Sequence, residues 1–408
     1  MRYLQFIRPN LRLLSFGSAA FFFSSFGQTF FVSLFNAPLQ AELSLGSGEI
    51  GLLYSAATLL SALSLMWLGR KIDEWDLRVY TVLACTLVLL GAWTLAAAPT
   101  AILVGVGFYF LRIGGQGLLS HAALTSMGRY FSETRGRAIG FASLGFALGE
   151  AVLPLCAVAL TAWIGWRQAW GGIGTFVAIG VIPILLWLLK GQAARHRAFA
   201  EANPGQPAAL ASRRLSILRD VRFYLCLPTV LAPPFVITGL FFHQTSVAAE
   251  NGWSLTWLAS CFIAFAIVQA YSSFQSGVLV DRIGAVRLLP FYLAPMAGGL
   301  LVLAVFDHPV AALLYMIGLG LTAGLDATVG TSAWAELFGA QRLGSIRAVA
   351  ASLMVFSTAL SPVLIGWALD HGITISAVAG LCILYCGICL ALALRLVAIS
   401  RKPGGGDR

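Results

Sequence analysis

The chain has 408 residues, 59% of them hydrophobic and only 10% charged, with 26 Lys and Arg against 16 Asp and Glu for a net charge of +10. Soluble domains carry about 25% charged residues, so a water-soluble globule of this size is excluded and lipid must be the outer solvent. The longest polar stretch, 191–222, is too short to bury a core of its own, which leaves no room for a soluble catalytic domain.

The opening MRYLQFIRPNLR is basic and leads into an apolar run from Leu13 to Phe35. That run exceeds the roughly 7–15 residues of a signal-peptide core, so it is expected to be the first span and not a cleaved leader. At about 20 residues per crossing, twelve spans are expected: 13–36, 50–68, 79–98, 101–126, 138–163, 168–189, 223–247, 255–276, 287–306, 309–334, 346–369 and 374–398. The fold class is an all-α membrane protein. It is divided into an N-terminal six-helix bundle at 1–190, a cytoplasmic linker at 191–222 and a C-terminal six-helix bundle at 223–408.

In helix 1, Ser25, Gln28, Thr29, Ser33 and Asn36 fall within an arc of about 140° at helical spacing, among Phe21, Phe22, Phe23, Phe26, Phe30 and Phe31. Helix 4 carries Arg112, Gln116 and Ser120 at four-residue intervals, a polar stripe that drifts only about 40° per step. His121 projects to the opposite face and reads as a histidine packed between helices. Helix 5 holds Glu150 beside Gly145 and Gly149, two positions that allow close helix approach. Helix 7 contains Pro233-Pro234, where a kink is expected, followed by Thr238, His243 and Gln244. Helix 10 holds Asp326, with Thr322 one turn earlier as a neutral partner.

An ionised side chain at the bilayer centre costs at least about 2.5–3.5 kcal/mol, so Arg112, Glu150 and Asp326 each require a partner, a wet cavity or a task. The Arg112 guanidinium is a rigid fork of donors suited to a carboxylate or phosphate. Two readings stay open: an anion site, or an ion pair with Glu150 at similar depth. Both hold if substrate displaces the pair. Uncoupling Glu150 from an arginine would change its proton affinity, which makes it the first candidate for proton coupling and Asp326 the second.

All seven cysteines fall in apolar stretches, where a thiol behaves as a small hydrophobe. No disulfide and no metal site is expected, even at Cys382, Cys386 and Cys389 on one helical face, since no His or acid stands beside them. Phosphate-cradling loops and acyl-transfer elbows are missing, so neither enzymatic activity nor a cofactor is expected. All Lys and Arg except Arg112 and Arg167 fall on the side of the two termini. By the positive-inside rule that side is the cytoplasm, in an inner or plasma membrane, and the positive charge reports topology and not nucleic-acid binding.

Gly69-Arg-Lys-Ile-Asp73 and Gly277-Val-Leu-Val-Asp281-Arg282-Ile-Gly284 lie 208 residues apart, and the same offset carries Gly136 onto Gly344 and Pro154 onto Pro362. Two similar halves can rock about a site between them. These residues resemble the major facilitator superfamily of secondary transporters, whose loop signature is G-x-x-x-D-R-x-G-R. The second copy departs from it only at Ala285, whereas the first keeps Gly69 and Asp73 but has Glu74 and Asp76 in place of Arg and Gly. The resemblance implies gating roles for Gly69, Asp73, Gly277, Asp281 and Arg282, and a cavity lined by helices 1, 4, 7 and 10. That makes Arg112, Gln116, Gln28, Asn36, His243 and Gln244 the substrate-binding candidates, in a monomer.

A looser similarity to monocarboxylate transporters and oxalate-formate exchangers rests on Tyr130, Phe131, Arg135, Ala138, Gly140 and Ala142. Helix 8 has no Arg or Asp, and helix 1 no Lys, of the kind that branch uses. The resulting expectation is a secondary active transporter of a small organic anion, such as a monocarboxylate, working by alternating access with protons as coupling ion. The alternatives are an exporter of drug-like or amphipathic metabolites, suited by the helix 1 phenylalanines, and a transporter-like membrane sensor.

Overall fold

A computed structural model describes residues 2–131, 134–192, 220–339 and 343–400. Residues 193–219, the bulk of the expected linker, lie outside the described ones. The chain divides into two compact units, Met1–Pro207 and Ala208–Arg408. No strand occurs among the described residues. Ten helices are long and apolar enough to cross a membrane, and the broken first span makes eleven. Large apolar side chains stand exposed along them, such as Leu63, Trp67, Ile102 and Phe274, as a surface solvated by lipid requires.

In the N-terminal unit the first span breaks in the middle. Arg2–Ser24 is followed by a 3₁₀ turn at Ser25–Gly27, an extended Gln28, Thr29–Val32, a second 3₁₀ turn at Ser33–Phe35, and Asn36–Leu43. The two legs differ in direction by 49°. The break is seated on helix 4: a Cβ on Gly27 would stand 2.1 Å from the Leu111 carbonyl oxygen, and one on Gly115 would stand 2.7 Å from the Gly27 nitrogen. Only glycines permit that approach. Ser47–Leu68 and Leu77–Ala97 follow, the latter started by Asp76, whose carboxylate accepts from the Arg78 backbone N–H at 2.7 Å. The fourth span runs from Ala101–Leu111 through a π-helical segment, Arg112–Leu119, into Ser120–Tyr130. Arg135–Ile164 is the fifth. The sixth is Trp166–Phe176, a second π segment at Val177–Val181, and Ile182–Leu188.

The C-terminal unit repeats the packing. In the first unit the opening helix lies on Arg135–Ile164, Ser47–Leu68 lies on Ala101–Leu111, and Leu77–Ala97 contacts both Ala101–Leu111 and Trp166–Phe176. In the second, Val221–Phe242 lies on Leu343–Asp370, Leu255–Ile283 on Pro309–Phe338, and Ala294–Val305 on both Pro309–Phe338 and Ile375–Ser400. The repeat reaches the backbone torsions. Phe35 (φ −96°, ψ 0°) and His243 (φ −101°, ψ 22°), 208 residues apart, each interrupt the first span of their unit in nearly the same conformation.

One expected span differs. The ninth span, expected at 287–306, is a 12-residue helix, Ala294–Val305, entered by hydrogen-bonded turns from the short helix Ala285–Leu288. Pro290 and Pro295 lack the N–H groups a longer helix would need. In the seventh span the helix Val221–Phe242 includes Pro228, Pro233 and Pro234, the last two at the place of the expected kink, and ends at His243. The carbonyl that Pro233 deprives of its helical donor, that of Thr229, accepts from the Tyr292 hydroxyl, so the missing bond is replaced from a neighbouring helix.

Gly145 and Gly149 do mark close helix contacts. Cβ atoms there would lie 1.9 Å from the Ser18 carbonyl oxygen and 2.3 Å from Ser25 Oγ. Gly239 against Ser361 Oγ (2.1 Å) and Gly324 against Ser272 Oγ (1.9 Å) make contacts as close in the second unit, at positions unrelated by the repeat. In lipid such small-residue seams supply the van der Waals contact that holds helices together.

Candidate functional site

The strongest site candidate is the buried guanidinium of Arg112, 3% exposed, at the first residue of the π segment of span four. Its Nη1 donates to the Gly27 carbonyl at 3.2 Å, at the break in span one. The guanidinium carbon stands 5.0 Å from the ring centroid of Tyr54, a cation–π contact. Tyr54 is itself buried and shares a 2.7 Å hydrogen bond with Thr29 across the break. Arg112 Nε is buried with no hydrogen-bond partner among the described residues. The alternative reading, an ion pair with Glu150, is not formed: among the described residues neither side chain lies within 4.0 Å of an opposite charge. Backbone carbonyl and aromatic face hold the cation in place of a carboxylate.

The polar stripe expected on helix 4 does not run straight. Gln116 is exposed and Ser120 half-buried, whereas Arg112 is sealed. The reason is the π segment, in which wider turns displace residues from the 100° spacing that the stripe assumed. The arc expected on helix 1 is interrupted likewise. Gln28 and Thr29 are half-buried at the break, while Ser25, Ser33 and Asn36 are buried. Its phenylalanines pack against protein: Phe23 lies 6.0 Å from Phe176, Phe30 6.2 Å from Phe146, and Phe31 5.8 Å from Trp170.

Glu150 is 4% exposed in Arg135–Ile164, and its Oε2 has no hydrogen-bond partner among the described residues. Pro154, four residues on, withholds the N–H that would have bonded Glu150's own backbone carbonyl. Asp326 is half-buried beside a cavity of about 180 Å³ lined also by Val230, Gly330, Thr331 and Trp334. Its partner is not Thr322 but the Tyr292 hydroxyl, at 3.4 Å. Thr322 instead donates to the Tyr292 carbonyl and accepts from the Met296 N–H at 3.0 Å, capping the ninth span. His243 and Gln244 are buried in the second unit, where His243 Nε2 donates to the Pro362 carbonyl at 2.8 Å.

Among the expected gating residues, exposed Asp73 pairs with Arg129 at the end of span four, and Arg129 also donates to the Ile72 carbonyl at 3.1 Å. The Gly69 carbonyl accepts from His121 Nε2 at 3.2 Å. Gly277 is half-buried, and Asp281 and Arg282 are exposed without an ion pair among the described residues. A different acid works at that loop: Glu336 accepts from the Val286 N–H at 3.2 Å, beside Gly284 at φ +91°.

A pair of acids that the sequence reading did not single out ties helix ends together within each unit. Glu42 accepts from Trp166 Nε1 at 2.9 Å and from Arg167 at 2.9 and 2.8 Å. Glu250, 208 residues on, accepts the Ile375 N–H with both oxygens at 2.8 Å. The offset that joins the loop motifs joins these acids and their partners too, and was the signal available. Among the described residues no group of three or more His, Cys, Asp and Glu is placed to hold a metal.

Comparison with known proteins agrees with this architecture. The family model described as Major Facilitator Superfamily matches residues 17–255. A probable L-galactonate transporter of Escherichia coli (strain K12) is 26% identical over 194 residues, which is 46% of this chain and 40% of that protein. Among solved structures, the nucleoside transporter NupG superposes with a TM-score of 0.73 at 14% identity, covering 97% of this chain and all of that one. A bacterial homologue of the human lysosomal transporter Spinster, in an inward-facing and occupied conformation, gives 0.71 at 14% identity with both chains fully covered. At such identities the two structures speak for the fold alone. The family match, with multiple apolar spans in two repeated bundles, makes this chain a multi-pass membrane transporter, not an enzyme, and a member of the Major Facilitator Superfamily.

Proposed function

We propose that the protein is a secondary active transporter that moves a small organic anion, such as a monocarboxylate, across the inner or plasma membrane by alternating access with protons as the coupling ion. It acts as a monomer with both termini in the cytoplasm. The observation that carries this reading is Arg112, a permanent cation buried at the broken first span with, among the described residues, no carboxylate in salt-bridge range and no partner for its Nε donor. A charge kept at that cost without a protein counterion is suited to one that arrives with the substrate. Gln116 and Gln28, at the rim of the same break, orient the rest of the ligand. The partial match to a probable L-galactonate transporter, whose named substrate is a sugar-acid anion, supports the same chemistry.

Glu150 is the proposed proton carrier and Asp326 the second. A carboxylate buried without a countercharge is costly, and a proton removes that cost. The Asp73–Arg129 pair, the Gly69–His121 bond and the Gly277, Asp281 and Arg282 loop are the proposed gating elements. The packing of the helix 1 phenylalanines against their own bundle weighs against an amphipathic-metabolite exporter.

The test is uptake of labelled galactonate and other small organic acids into proteoliposomes. Arg112→Gln is expected to lower uptake at least tenfold and Arg112→Lys to restore it only in part, because a point charge replaces a fork. Near wild-type uptake of every acid by both variants would overturn the anion site. Glu150→Gln is expected to abolish accumulation driven by a pH gradient while leaving counterflow of labelled substrate intact. Full pH-driven accumulation in that variant and in Asp326→Asn would remove the coupling assignment.

A further inference from the structure

A second basic feature lies away from Arg112, at the end of the N-terminal unit where the first helix begins and the sixth span ends. Arg8, Pro9, Leu11, Arg12 and Leu13 on one side, and Leu188, Lys190, Gly191 and Gln192 on the other, enclose a cleft of about 480 Å³. Among the described residues three cations line it and no acid does. One of them is partly spent, since Arg12 donates to the Trp187 carbonyl at 2.7 Å and lies 5.1 Å from the Trp187 ring, steadying the C-terminus of the sixth span. Arg8 and Lys190 are exposed and enter no ion pair among the described residues. The decisive group is Gln192. It is 3% exposed, and its Nε2 is buried without an acceptor among the described residues although the residue lines the cleft. A buried amide donor lacking an acceptor is costly, and here it stands beside three positive charges, so an anionic oxygen satisfies all of them.

The surroundings select the bearer of that oxygen. Leu11 (50%), Ile184 (44%) and Trp187 (55%) are exposed beside the cations, so apolar surface faces outward immediately next to the charged mouth. A tryptophan at a span end with Lys and Arg beyond it marks the headgroup level of a bilayer. We infer that this cleft binds the phosphate of an anionic phospholipid, with Arg8, Lys190 and Gln192 Nε2 on the phosphate oxygens, Arg12 as positional support, and an acyl chain along Leu11 and Trp187. The site is distinct from the proposed transport pathway and does not depend on the substrate.

Native mass spectrometry of the full chain tests it, after exchange into neutral detergent with defined amounts of phosphatidylglycerol or phosphatidylcholine. One phosphatidylglycerol is expected to be retained in preference to phosphatidylcholine. Arg8→Gln with Lys190→Gln is expected to weaken its retention roughly 10- to 30-fold, as two surface cations warrant, and Gln192→Leu to weaken it further. A matched double variant at exposed cations elsewhere, Arg137→Gln with Arg287→Gln, is expected to leave retention unchanged. Thermal melting in phosphatidylcholine alone confirms that each variant folds. Equal retention by the cleft variant and the wild type, or equal loss in the matched control, would overturn the site. Glycerol phosphate displacing the lipid at equal concentration would overturn the assignment to a membrane lipid in favour of a soluble phosphate ester.

Discussion

Individual residues in this chain have sharply different tolerances, and the glycines of one helix show it. Within Arg135–Ile164, a Cβ at Gly145 would stand 1.9 Å from a backbone oxygen of the first helix, whereas one at Gly140 meets nothing within 4 Å. Gly145→Ala is therefore expected to destabilise by at least about 1–3 kcal/mol through overpacking. Gly140→Ala is expected to be neutral or to gain up to about 1 kcal/mol of helix propensity. Melting of the two purified variants side by side checks the contrast. The sequence could say that Arg112, Glu150 and Asp326 were expensive, because cost follows from charge and depth. It could not say how each would be accommodated. Arg112 settles on a carbonyl and a ring, and Asp326 on a tyrosine, because those partners depend on helix rotation and on breaks that no periodicity announces.

Elements show the same division between what patterning dictates and what contacts decide. Ten of the expected spans emerge because twenty or so apolar residues have no alternative to helix in lipid. The ninth falls short where two prolines withhold donors, a signal that was present in the sequence. The break at Gln28 was not legible, since it rests on glycines of two helices meeting face to face. Span ends are tied by side chains whose roles become clear only in three dimensions. Arg167, one of two cations off the basic side, is consumed by Glu42 and by the Ala96 and Ala98 carbonyls at 2.9 and 2.7 Å. It thus joins three span ends, and Arg167→Gln is expected to lower thermal stability by about 1–3 kcal/mol. Glu250→Gln, which weakens the cap on Ile375–Ser400, is expected to cost about 1 kcal/mol. Differential scanning fluorimetry distinguishes both from wild type.

For the molecule as a whole, the 208-residue repeat is the feature that the sequence carried best, and the structure extends it from four matched positions to helix pairings, torsions and capping acids. The three intramembrane charges stand outside it: one repeat away from Arg112, Glu150 and Asp326 are Gly320, Thr358 and Leu118. Scaffold is duplicated and these three charges are not, so the halves differ in the residues on which the proposed function rests. The proposed orientation makes a direct prediction. Green fluorescent protein fused to either end is expected to fluoresce, and alkaline phosphatase fused there to be inactive. An active phosphatase at either terminus would refute the cytoplasmic assignment.

The π segment at Arg112–Leu119 holds one residue more than an α-ladder needs. Rewinding it to α geometry would spin the remainder of that span by roughly 100° about its axis. His121 would then swing away from the Gly69 carbonyl and Arg129 away from Asp73. Torque at the guanidinium and parting of the Asp73–Arg129 pair, the proposed gating contact, are in that sense two ends of a single axle.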